Sequence, residues 1–305
     1  MEELPKNDKI CIWGEGVSSK IAFDYPDLLK NFPNSVQNMP ISEACMVSAG
    51  LGASLVGLKP IVDLSFDDLL PRAMDEILNQ ASKARYVTSG VSRPSMIIKM
   101  DLPPVRCAQT GQRLESLLMH APGIAIGVPS TPSDAMGLMK SSLRTEDVIV
   151  MVEDRWITMR EQVSPEEIDF GKAVKRRVGR DLTLVTYGYM VYQALEAAEH
   201  LSPKGIDVEV LDLRTLAPMD HVAILESVRK TRRLATLEGG YRICGIGAEV
   251  CSLVCEKMLD HLASPPIRMA SDMTPIPVST ALRMKVFPST DDIEKSIEKI
   301  MISAA

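Results

Sequence analysis

No apolar run in the chain approaches the roughly 18 residues of a membrane span, and no signal pattern opens it. The expectation is a soluble, cytoplasmic protein with no membrane partner. Six cysteines are present, but without a Cys-x-x-Cys pair or histidines at zinc spacing, which argues against the common zinc modules. They read as reduced, mostly buried thiols; Cys251 and Cys255, one helical turn apart, read as packing residues. No run of like charge forms a basic patch, and the net charge is -6, which argues against nonspecific nucleic-acid binding. Low-complexity tracts and solenoid repeats are also missing. The segment GIGAEV, residues 245–250, places glycines between a strand and a helix as a dinucleotide site does. It lacks the third glycine, and no acid at the end of a following strand fits the ribose position.

What is present is alternation. The apolar runs KICIWG, PIVDLSF, SMIIKM, GIAIGV and VIVMVE are separated by helical patterns that include 72–85 and 133–143. Such alternation predicts a parallel sheet with helices on both faces. Between 155 and 180 the pattern breaks into charged, proline-containing sequence, VSPEEIDFGKAVKRRVGR, read as a linker. A second alternating set then follows: LTLVTYG, a helix through Ala194 and Leu201, VEVLDL, a helix over 221–230, RLATLEGG, a helix over 247–262, and IRMAS. The predicted fold class is α/β, with two three-layer α/β/α sandwiches over 1–160 and 181–305 joined by a linker at 161–180. At 305 residues the chain is long enough for two cores.

One segment concentrates the chemistry: NMPISEACMVSAGLGASLVGLKPI, residues 38–61. Pro40 biases Met39 away from helix, and Ser42 can cap a helix beginning near Glu43. Behind the acid, Met46, Val47, Gly50, Leu51, Gly52, Ala53 and Leu55 are apolar or small almost all round, which predicts a buried helix. Its glycines cost about 1 kcal/mol each against alanine, a loss that close packing or a nearby ligand explains. From these residues alone, Glu43 either complements the helix dipole, an effect of about 0.3–1 kcal/mol, or is positioned for chemistry.

The neighbouring motifs extend that reading. NMPISEA is followed by GLKPIVDLSFDDLLPRAMDEILNQASKARY, then HAPGIAIGVPSTPSDAMGLMKSSLR, then DLTLVTYGYMVYQALEAAEHLSPKGIDVEVLDLRTLAPMD. In this order, from about residue 13 to the end, these segments resemble the β subunit of the E1 component of 2-oxo acid dehydrogenase complexes. Those enzymes use thiamine diphosphate to decarboxylate pyruvate or branched-chain oxo acids. The resemblance implies a pyrimidine-binding domain followed by a transketolase C-terminal domain.

It also implies residue roles. Glu43 matches the acid that shares a proton with N1' of the cofactor's pyrimidine and so makes the 4'-amino group basic; a buried carboxyl in an apolar pocket suits that task. Leu69 and Phe66 lie in the stretch that walls the pyrimidine, where an aromatic is usual at the Leu69 position. Arg72 matches an arginine near the site in some relatives, such as deoxyxylulose phosphate synthase, and equally reads as an exposed helix arginine. Thr110, Gly111 and Gln112 fall where the family carries His-Ser-Gln, ahead of Leu114 and Glu115, so the histidine associated with acyl transfer is absent. His120 aligns with a structural histidine. Gly14-Glu15-Gly16 replaces Gly-Glu-Asp, and only MEELPKND precedes the first strand, where the family has a helix. Either that covering helix is missing or the chain has been started late.

The family's GDG…N signature for magnesium and diphosphate does not occur in the chain. The resemblance therefore implies an α subunit that holds both, an α2β2 assembly with β–β contacts through the C-terminal domains, and a lipoyl acyltransferase E2 as acceptor of the acyl group. A potassium site is implied at Ser142, Leu143, Thr145 and Asp147, with Thr145 replacing the usual aspartate. Two other readings stay open: a split transketolase or related two-subunit ketol-transfer enzyme, and a catalytically degraded paralogue kept as a scaffold. The absent histidine favours the first of these; PISEA, RAMDEILNQ and PSTP favour E1; retention of Glu43 argues against the scaffold.

Overall fold

The computed structural model describes residues 4, 7–15, 17, 26–102, 108–154, 157, 163–164 and 166–302. Gly16, Cys107, most of the amino-terminal MEELPKND and part of the expected linker lie outside these. Among the described residues twelve strands are formed: β1 (Ile10–Gly14), β2 (Val36–Asn38), β3 (Lys59–Phe66), β4 (Met96–Leu102), β5 (Ile124–Gly127), β6 (Val148–Asp154), β7 (Val174–Arg177), β8 (Leu182–Thr186), β9 (Val208–Asp212), β10 (Thr215–Ala217), β11 (Leu234–Tyr241) and β12 (Ile267–Ser271). The first sheet has the order β10-β5-β6-β4-β3-β1-β2 and the second β12-β11-β8-β9-β7. Both are parallel except at one edge, where β10 runs antiparallel to β5 and β7 antiparallel to β9.

Eight of the apolar runs become central strands and IRMAS becomes the edge strand β12; the other edge strands, β2, β7 and β10, come from sequence without such runs. β7, VKRR, lies inside the stretch read as a linker and pairs with β9 through its backbone. β10 leaves the second half of the chain to extend the first sheet, so the two halves share hydrogen bonds. One apolar core joins the inner faces of both sheets, from Met46 and Val62 through Ile126 and Val128 to Leu213 and Val250. Two further cores lie on the outer faces, one around Leu184, Ala194 and Ile297, the other around Ile12, Ile97 and Met151. No helix among the described residues is long and apolar enough to cross a membrane.

Two helices depart from expectation. The pattern over 72–85 is broken into a 3-10 turn at Asp67–Ala73, a π-helical segment at Glu76–Ala81 and a short α-helix at Ala84–Val87. Pro71 contributes, since it has no N–H to donate and its ring crowds the preceding turn. The Glu43–Leu55 helix buries only one face, through Glu43, Met46, Val47, Gly50 and Ser54. Gly50 lies against β3 so closely that a Cβ would meet Val62 Cγ2 at 2.5 Å. The opposite face is apolar and exposed, with Cys45 and Leu55 on the helix and Ile41 (82%) and Val56 (81%) beside it. Small side chains all round hid from the sequence which face the chain itself covers.

Candidate functional site

Glu43 is the first residue of its helix and emerges beyond the carboxyl end of β2, the edge of a parallel sheet where ligands bind. Ser42 occupies the cap position, but its side chain makes no capping hydrogen bond. The Glu43 residue is 2% exposed, and Arg72 Nε donates to its Oε2 at 3.2 Å. The Arg72 side chain is 73% exposed and is the ion-pair partner of Glu43. Among the described residues the other oxygen, Oε1, has no hydrogen-bond partner. Glu15, at the end of β1, faces the same spot. Burial, then the Glu43 negative charge, raise its pKa against the pull of Arg72, and its Oε1 is buried without a partner.

The next layer is the 3-10 turn that carries Arg72. β3 is irregular between Asp63 and Phe66, with Ser65 at φ 66 and its N–H on Asp63 Oδ1 at 2.9 Å. That kink delivers a half-buried Phe66, then a half-buried Leu69 on the turn that packs against the Glu43 helix. Asp68 holds the loop of Thr110, Gly111 and Gln112 against this turn: Gly111 N donates to Oδ2 at 2.8 Å, and Gln112 N and Nε2 donate to Oδ1 at 3.3 and 3.0 Å. Asp67 is 1% exposed, and its two oxygens accept no hydrogen bond. Burial, then the negative charges of Asp68 and Glu115, raise its pKa well above the usual carboxylate range.

A second polar layer links the halves of the chain. Arg113 pairs with Asp154 at 2.8 Å, and Tyr187 donates to Glu115 Oε1 at 3.0 Å. At the carboxyl ends of β3, β4 and β6, Lys99 Nζ meets Asp101 Oδ1 at 2.5 Å, Glu153 Oε2 at 3.6 Å and Asp63 Oδ2 at 3.8 Å. The glycine loop of GIGAEV is filled from within: Ile246 N and Gly247 N both donate at 2.9 Å to the buried Glu238 carboxyl. A Cβ on Gly247 would fall 2.4 Å from Thr236 Oγ1, so the glycine serves this internal contact. Burial pushes the Glu238 pKa up to about 7.

The four residues expected to hold potassium are brought together at the turn before β6, but they do not fit a bound ion. The carbonyl oxygens of Leu143 and Thr145 accept from Lys59 Nζ at 2.5 and 3.0 Å. The Asp147 carboxylate is paired with Arg85 at 2.9 Å, and Ser142 O accepts from Thr145 Oγ1 at 3.4 Å.

Paired α/β sandwiches with an acid on the first helix after the edge strand define a class, the transketolase-type thiamine enzymes. Residues 1–159 match the family described as the transketolase pyrimidine-binding domain, and residues 171–293 match the transketolase C-terminal domain; the chain belongs to this thiamine diphosphate-dependent family. Among its relatives are the β subunit of the pyruvate dehydrogenase E1 component of Rhizobium meliloti, 31% identical over 98% of this chain and 67% of that protein, and the β subunit of the acetoin:2,6-dichlorophenolindophenol oxidoreductase of Bacillus subtilis, 33% identical over 95% of this chain and 91% of that one. A split-gene transketolase solved as an inactive β4 tetramer has the same fold, with a TM-score of 0.84 at 24% identity over 100% of this chain and 95% of that one.

Glu43, Phe66, Leu69 and Arg72 thus share one corner of the first sheet with the 110–112 loop. Sequence reading passed over Asp67, Asp68, Arg113, Tyr187 and Lys59 as functional candidates. Consecutive acids at the end of an apolar strand were the available signal for the first two; the others depend on partners remote in sequence.

Proposed function

We propose that this chain is the β subunit of a cytoplasmic, thiamine diphosphate-dependent E1 enzyme that decarboxylates a 2-oxo acid, passes the acyl group to lipoamide on an E2 partner, and is completed by an α subunit. The observation that carries the reading is the Glu43 carboxyl: buried, held on one oxygen by Arg72, and free on the other among the described residues. When bound, thiamine diphosphate supplies the electron sink for decarboxylation. The residues present fit its pyrimidine end. Glu43 would hold N1' and exchange a proton with it, Leu69 and Phe66 would give apolar contact, and Arg72 fixes the carboxyl's orientation. Leucine lacks ring stacking, which is worth about 0.5–1.5 kcal/mol beyond burial.

Magnesium and the diphosphate fall to the α subunit, because the motif that binds them is missing from this chain. The exposed apolar residues along the Glu43 helix, Ile41 just before its start and Leu55 and Val56 at its far end, support a second subunit covering this helix. The names of the relatives support a 2-oxo acid or acetoin as substrate. Thr110 favours a second reading, ketol transfer, since a neutral hydroxyl stands where acyl transfer to lipoamide uses an imidazole.

The test is Glu43→Gln in the complex with its α subunit, assayed for 2-oxo acid decarboxylation with an artificial electron acceptor. A loss of more than about 100-fold in turnover with the fold intact is expected, because proton exchange is removed while the amide oxygen can still accept from Arg72 Nε. Turnover at the native rate refutes the role of Glu43. Ketol transfer between sugar phosphates, without decarboxylation, selects the second reading.

A further inference from the structure

The turn between the Pro132–Ser142 helix and β6 concentrates negative potential. The last carbonyls of a helix have no N–H partners within it and carry the negative end of its dipole. Here Leu143 O and Thr145 O converge on one point, and the acids Glu146 and Asp147 follow directly. Three side-chain cations answer them. Lys59, the first residue of β3, places Nζ 2.5 Å from Leu143 O and 3.0 Å from Thr145 O. Arg85 pairs with Asp147 and also donates to Glu146 O, and Arg93 pairs with the Glu146 carboxylate at 3.1 Å. Ser95 Oγ donates to Thr145 O at 2.8 Å.

We propose that the Lys59 ammonium is the resident monovalent cation of this turn, a tethered substitute for potassium, so that the chain takes up no potassium there. An ammonium matches potassium in charge and satisfies carbonyl oxygens by donation as the ion does by coordination. Being covalently attached, it holds the site at a high effective concentration without drawing on the solution. A potassium ion on the same two carbonyls would put two positive charges within hydrogen-bond distance of each other. The inference rests on this geometry and stands whether or not the chemistry proposed for Glu43 holds.

The test is thermal unfolding of the full-length chain, alone and with any subunit that copurifies, in choline, sodium and potassium chloride at one ionic strength. The native protein is expected to melt within about 1 °C of the same temperature in all three. Lys59→Met, which keeps an apolar stem and removes the charge, is expected to melt roughly 3–10 °C lower in choline chloride, from two charge-assisted hydrogen bonds in a domain of this size. Potassium, titrated into that variant, is expected to restore most of the loss with saturation. Three results overturn the proposal: a native melting temperature that rises with potassium, a variant as stable as the native chain in choline, or a destabilised variant that potassium does not rescue. Should the variant not fold in any salt, the native titration, repeated by thallium NMR in place of potassium, still decides. Saturable binding at this turn refutes the proposal, and its absence supports it.

Discussion

Asp68 accepts three hydrogen bonds from the 110–112 loop, and replacing it by asparagine gives a quantitative expectation. In the native chain its carboxylate accepts from Gly111 N at 2.8 Å and from Gln112 N and Nε2 at 3.3 and 3.0 Å. Asparagine has one oxygen. If that oxygen keeps the Gln112 pair, its amide N–H faces the Gly111 N–H; if the amide flips, both Gln112 bonds are lost. At least one hydrogen bond to a charged acceptor disappears, worth about 1.5–3 kcal/mol, and those that remain fall to the neutral range of about 0.5–1.5 kcal/mol. Partial solvent access reduces the sum, which leaves about 2–4 kcal/mol. The loss concerns a surface loop, so it appears as local opening and not as global unfolding. Amide exchange over 108–114 should accelerate by roughly 30- to 900-fold at neutral pH, as read by hydrogen-exchange mass spectrometry, while β3 and β4 stay protected. Unchanged exchange in the loop of Asp68→Asn would show that other contacts hold it and refute the reasoning.

Two further expectations concern pH and the loop's chemistry. Burial raises Asp63 and Asp212 to about 6 and Glu238 to about 7, above the values of the unfolded chain, so the folded state binds more protons in that interval. The stability these protons confer is complete below the unfolded values and is lost as pH rises through 6 to 7, on the order of 3 kcal/mol per group at most. The melting temperature should therefore fall between pH 5 and pH 8, and a profile that is flat or rising contradicts the assignment. If the acyl-transfer reading is right, Thr110→His should raise lipoyl acylation about 10²-fold or more while decarboxylation changes little, with the two rates measured on one preparation. Gly111 must stay glycine in that variant, because it lies at φ 90; equal effects on both rates would remove the loop from acyl transfer.

How much was legible beforehand follows from the range of each interaction. Alternating apolar runs located nine of the twelve strands, since a central parallel strand is apolar over its own length whatever its neighbours are. Glu43 was legible from its place on the first turn of a small-residue helix, and the dinucleotide reading of GIGAEV failed on its own spacing. The short edge strands β2, β7 and β10 were not legible, because such an edge needs only backbone partners and here carries no apolar run, unlike the fourth edge strand, β12. Nor were the polar contacts that define the site. Asp68 and Gly111 are 43 residues apart, and Lys59 and Leu143 are 84 apart. Sequence by itself determined the α/β class, the helix that carries the acid and the family resemblance, all written in neighbouring residues. The order of strands in the sheet decided which carboxylate holds the 110–112 loop, which cation fills the turn before β6, and which face of the Glu43 helix stays uncovered, because only folding brings those remote groups within hydrogen-bond distance.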